Sequence, residues 1–175
     1  MPKLLGKKPL AILCFMYFFT VNAAQAAQEG VVRHRVANST IPVAAAVEVP
    51  GSFSTIYLSG KLPPVQDPRQ SITSPLAYGG DTKGQTIAVF KAIEKSLNDI
   101  GLGLGDVVKL QVFLVGDPAK NNKMDMEGFM EGYVQFFGTK DQPNVPARSV
   151  LKIAGLPNEA WRVEIEAVAL RQKTL

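Results

Sequence analysis

With 175 residues, 46% of them hydrophobic, the chain can build one domain with a real core. A single cysteine, Cys14, and a single histidine, His34, exclude a disulfide framework, a His-based triad and a multi-histidine metal site. The formal charge of +4 makes no case for nucleic acid, because Lys3, Lys7 and Lys8 supply three of those charges from a segment that reads as removable.

Those lysines precede an apolar run from Pro9 to Val21, too short to span a bilayer comfortably, and then Ala24-Gln25-Ala26. A basic start, an apolar stretch and small residues make a secretory signal peptide, residues 1–26, expected to be cut after Ala26. The mature chain, 27–175, would be one domain of charge +1 without cysteine or stable membrane anchor, and periplasmic or secreted.

Val31 to Ala37 alternates weakly and suits an edge strand, with His34 solvated on it. Ser54 to Gly60 is a better strand, stopped by Gly60 and Pro63-Pro64. Residues 61–83, rich in Pro, Gly, Ser, Asp and Gln, show no sustained periodicity and read as a functional or mobile connection. A helix follows, with capping-box spacing at Thr82 and Gln85, an apolar stripe of Ile87, Phe90, Ile93, Leu97 and Ile100, and Gly101 closing it. Asp106 to Val115 is a strand with Val108, Leu110, Val112 and Leu114 on one face and Lys109, Gln111 and Phe113 on the other. The second helix should run from Met124 to Phe137, its inner stripe including Phe129, Met130, Tyr133 and Phe137.

Pro146 to Leu170 reads as two strands joined by Gly155-Leu156-Pro157-Asn158. Alternation puts Arg162, Glu164 and Glu166 on one side of the last strand and Trp161, Val163, Ile165, Ala167 and Ala169 on the other. Arg148 offers a fork that can hold a small carboxylate, and Glu164 a group that can position or deprotonate water, a pair suited to hydrolysis of a small acid. The element order predicts an α+β layer with two helices on one face of a mixed sheet. Self-association should close the other face, where Tyr57, Phe113 and Val150 are expected beside Lys109, Arg148 and Glu164.

Ile56-Tyr57-Leu58-Ser59-Gly60, Gly105-Asp106-Val107-Val108-Lys109, Tyr133…Phe136-Phe137, Pro146-Ala147-Arg148-Ser149 and Val163-Glu164-Ile165-Glu166-Ala167 fall in the order seen in the RidA/YjgF family of reactive-intermediate deaminases. The resemblance covers roughly residues 40 to 171. It implies a chorismate-mutase-like homotrimer with pockets between subunits, no cofactor and no metal. The implied reaction is hydrolysis of small 2-imino acids and their enamines to 2-keto acids and ammonia. By position Arg148 would bind the substrate carboxylate and Glu164 the attacking water, with Glu166 the second acid of the strand. Ser59, Gly60, Ser149 and the Val150 amide would line the pocket. The family's pocket tyrosine falls at Ala46, within Ala44-Ala45-Ala46, and its frequent asparagine at Met130. The alternative is a trimer that binds small carboxylates, or acts as a chaperone, without significant turnover.

Overall fold

The computed structural model describes residues 30–174, so the expected signal segment and Cys14 lie outside the described residues. Six strands form one mixed sheet: β1 (Val32–Arg35), β2 (Ala44–Glu48), β3 (Phe53–Lys61), β4 (Val107–Val115), β5 (Ala147–Ile153) and β6 (Val163–Gln172). They lie in the order β1-β2-β5-β4-β6-β3. Helices α1 (Thr82–Asn98) and α2 (Met126–Tyr133) cover one face.

β4 is the central strand, parallel to β5 and antiparallel to β6, so the last two strands never pair with each other. Its alternation sends Leu110, Val112 and Leu114 into the helix layer against Val163, Ile165 and Ala167. Phe90, Ile93 and Leu97 of α1 and Phe129 and Tyr133 of α2 close over them. A bulge between Val107 and Lys109 shifts the alternation, so Val107 joins this core where Val108 was expected.

The helix ends also differ from expectation. Asp81, not Thr82, caps α1, accepting from the Gly84 amide at 2.8 Å. Gln85 turns inward instead, donating to the Ala160 carbonyl at 2.8 Å and accepting from the Arg162 amide at 2.7 Å. Helix α2 is shorter than the periodicity suggests. Phe137 stays buried beyond it in a turn that ends at Gly138, whose φ of 74° favours glycine.

Asp125 caps α2 and is 5% exposed; its Oδ1 accepts from the Gly128 amide at 3.1 Å and the Lys120 ammonium at 2.6 Å. Burial pushes this carboxyl up, but those two donors outweigh it and hold the group below the ordinary carboxylate range. A folded pKa below the unfolded one means stabilisation present above about pH 4 and lost as pH falls through the folded value. Asp125→Asn should therefore cost about 1 kcal/mol in urea unfolding at pH 7. Its deficit should shrink by pH 3; a deficit independent of pH would assign the loss to packing.

Residues 61–83 are ordered rather than structureless. A 3-10 turn at Pro75–Tyr78 seats Ala77 and Tyr78 in a satellite core with Ala160 and Trp161. Asn158 bonds this segment twice, to the Ile72 carbonyl at 2.9 Å and the Tyr78 hydroxyl at 3.1 Å.

β1 lies at the sheet edge as expected, paired with β2, a strand that the sequence pattern does not announce. Arg33 anchors this hairpin by donating to the carbonyls of Val107, Val145 and Gly105 at 2.9 to 3.0 Å. β2 meets β5 only at Ala44 and Ala147, so the β5 edge is unpaired beyond that point.

Candidate functional site

Arg148 is the second residue of β5 and lies in register with Leu110. Residues paired across a ladder share a face, so its side chain enters the helix layer. There the guanidinium stacks 4.3 Å from the Tyr133 ring centre and 5.1 Å from that of Phe129. These two aromatics are four apart on α2, hence on one face of it. The Tyr133 hydroxyl donates to the Pro42 carbonyl at 2.7 Å, which fixes the ring.

Nη1 of Arg148 is buried and has no hydrogen-bond partner, and no described carboxylate lies within ion-pair distance of the group. Burial lowers the guanidinium pKa, partly offset by Tyr133. Burial likewise pushes the Tyr133 phenol up to about 12, against the pull of Arg148 and Arg33. A pre-oriented fork with an unused donor is chemically a receptor for a carboxylate.

Glu164 lies on the other side of the sheet. It pairs with Phe113, and β6 turns Val163 and Ile165 into the core, leaving Glu164 and Glu166 on the open face. Beside it β3 bulges: Leu58 faces Ala167 and Lys61 faces Ile165, so Ser59 and Gly60 together stand opposite Glu166. Gly60 lies against the Glu164 side chain, and a Cβ built there would run into Oε1. The obstructing atom is the end of a flexible side chain, so Gly60→Ala can fold by pushing the carboxylate aside. It should leave the melting temperature nearly unchanged; a fall of many degrees would show that the carboxylate has no room to move.

The expected site residues therefore divide. Glu164, Glu166, Gly60 and Ser149 share the open face, Ser149 through its register with Gln111, which pairs with Glu166. Ser59 is exposed at the bulge. Arg148 and Val150 were expected on the open face too, and the structure corrects this. Their partners Leu110 and Val112 point into the core, and Val150 packs against it. Any contact from Val150 to a ligand would have to come from its backbone, consistent with the amide role implied for it. Arg148 and Glu164 are thus on opposite faces of one sheet and cannot grip one small ligand within a single protomer.

The open face also carries exposed apolar surface. Tyr57 is 80% exposed on it, and a cavity of about 390 Å³ there is lined by Val47, Val49, Thr55, Tyr57, Val108 and Lys109 among others. Sequence reasoning missed Phe129 and Tyr133 as the platform for Arg148. Their spacing marks a buried stripe, which is the signal of an ordinary core. Among the described residues, no three of His, Cys, Asp and Glu gather where they could hold a metal ion.

A family model described as "Endoribonuclease L-PSP" matches residues 51–171. A RutC family protein of Pyrococcus abyssi is 30% identical over 133 residues, covering 75% of this chain and 87% of its own. Another, from Leuconostoc mesenteroides, is 31% identical over 120 residues, covering 67% and 81%. Among solved structures, YyfB of the Rid family from Yersinia pestis is similar in fold, with a TM-score of 0.59 at 20% identity, covering 80% of this chain and 96% of that one. TdcF of E. coli, solved with bound serine, has a TM-score of 0.51 at 25% identity, with coverage of 76% and 96%. Sequence match, relatives and fold agree: the chain belongs to the endoribonuclease L-PSP family, whose members also carry the names RidA, YjgF and RutC.

Proposed function

We propose that this protein hydrolyses small 2-imino acids and their enamine tautomers to 2-keto acids and ammonia, in a homotrimer whose pockets lie between protomers. The observation that carries the reading is the half-buried Arg148 fork, stacked on Tyr133 and Phe129 with its Nη1 buried and unpartnered. The serine bound to the similar TdcF is a small amino acid, whose carboxylate would suit such a fork.

Arg148 of one protomer holds the carboxylate, and Glu164 of its neighbour holds a water at C2. The protonated imine is already electrophilic, so placement of the water is the main requirement. Water adds to C2 and gives a proton to Glu164, which passes it to nitrogen; as the C–N bond breaks, Glu164 takes the remaining hydroxyl proton, the keto group forms, and the departing ammonia carries that proton away as ammonium. No cofactor takes part. The protein is exported, through the segment ahead of residue 27.

A second reading has its own observation. Ala44, paired with Ala147 next to Arg148, begins an aliphatic stretch through Ala46 where the family places a tyrosine. A pocket lacking that hydroxyl could bind 2-keto acids without turning imines over.

The test supplies 2-iminobutanoate, generated in place by an amino-acid oxidase, to the mature protein and follows ammonia and 2-oxobutanoate. Release well above buffer, with a trimer in sedimentation, is the expected result. Release at the buffer rate together with tight 2-oxobutanoate binding would establish the second reading.

A further inference from the structure

Apart from the carboxylate fork of Arg148, a cleft containing an arginine opens where the parallel strands β4 and β5 end. Its volume is about 480 Å³, within the range that holds small molecules, and Val115, Leu156, Trp161 and Arg162 line it. Asn122 and Glu159 stand at its polar side. Asn121 and Asn122 both have φ of 56°, successive left-handed residues in the turn that forms one wall. Gly116 permits this turn, since a Cβ there would run into the Asn122 carbonyl.

Arg162 is the cleft's permanent cation. Its backbone amide is fixed by Gln85 at 2.7 Å, and its Nη1 donates to the Glu159 carbonyl at 2.6 Å, which holds the planar group while Nε and Nη2 have no protein partner among the described residues. Glu159 is the lining acid, and it forms no ion pair with Arg162. The guanidinium thus stands over an apolar wall with no ion pair among the described residues to neutralise it.

The position of Arg162 matters more than its charge. It is two residues before Glu164 on the same side of the chain, since Val163 between them is buried in the core. Two residues along a strand span about 7 Å, comparable to the length of a four- or five-carbon diacid. A ligand whose reacting carbon sits at Glu164 can therefore extend a far carboxylate toward Arg162.

We infer that Arg162 is a specificity-determining residue, and that the cleft takes the distal carboxylate of dicarboxylic 2-imino and 2-keto acids. This rests on the reading of Glu164 and Arg148 given above for where the near end lies, but its test does not require turnover. Substrates of this kind arise from reactions that oxidise acidic amino acids at Cα or that eliminate water from their 3-hydroxy derivatives.

Calorimetry on the trimer with 2-oxoglutarate and 2-oxobutanoate reads the effect directly. A distal carboxylate on a charged donor should make 2-oxoglutarate bind at least about tenfold tighter. Arg162→Ala should bring the affinity ratio close to one, and Arg162→Lys should recover part of it. A wild-type ratio near one overturns the inference, as does a preference that survives Arg162→Ala. If the Arg162→Ala chain fails to fold, the wild-type ratio and Arg162→Lys decide alone. A preserved preference in a protein with no imine turnover would sink the deaminase reading and leave this one standing.

Discussion

Replacing Arg148 by alanine is expected to lower kcat/KM for 2-iminobutanoate about a hundredfold, the loss that follows from removing a charge-assisted, two-point grip on a carboxylate. Most of the loss should fall on KM, because the α-carboxylate is held equally before and during water attack. Stability should change little. The variant loses stacking over Tyr133 and Phe129 but also removes a buried donor that lacks a partner, and these contributions oppose each other. Arg148→Lys keeps the charge without the planar fork, so it should recover only a part of the affinity. Wild-type kinetics in Arg148→Ala would mean that the carboxylate is anchored elsewhere.

Glu164→Gln should behave in the opposite way. Substrate binding should be nearly unchanged while kcat falls by about two to four orders of magnitude, the range for removing a positioned proton acceptor. The amide has the shape of the carboxylate and can still rest on Gly60, so the bulge at Ser59 and Gly60 need not rearrange. A KM effect as large as the kcat effect would make Glu164 a binding group instead. Near-wild-type turnover would leave the water without its holder.

The parts of this fold that repeat a simple period were legible in the sequence. Leu110, Val112 and Leu114 alternate down β4, and Phe90, Ile93 and Leu97 recur along α1, and all six are fully buried. β2 escaped notice because Ala44-Ala45-Ala46 has no β-branched or aromatic residue until Val47. The order of residues 61–83 depends on bonds from Asn158, more than eighty residues away for Ile72, which no local pattern can reveal.

The face taken by Arg148 was the largest error. A slip of one residue in strand pairing sends every side chain to the other side of a sheet. The register of Arg148 with Leu110 is decided by β4, almost forty residues earlier in the chain. Glu164 was safe from this error because Val163 and Ile165 beside it are apolar on both flanks, which assigns its face locally. The residue types of the candidate site could thus be named from the sequence, whereas the separation of Arg148 and Glu164 onto opposite faces of the sheet could not.

The proposed sharing of each pocket between two protomers is open to direct measurement. Arg148→Ala and Glu164→Gln protomers, each nearly inactive alone at substrate well below KM, would be denatured, mixed in equal amounts, refolded together and assayed at that substrate level. If each pocket takes its arginine from one protomer and its glutamate from the next, random assembly should restore roughly a quarter of the pockets, and activity in proportion. A mixture that mass spectrometry shows to contain both protomers in one assembly, yet that stays at the level of its parents, would contradict a pocket shared between them.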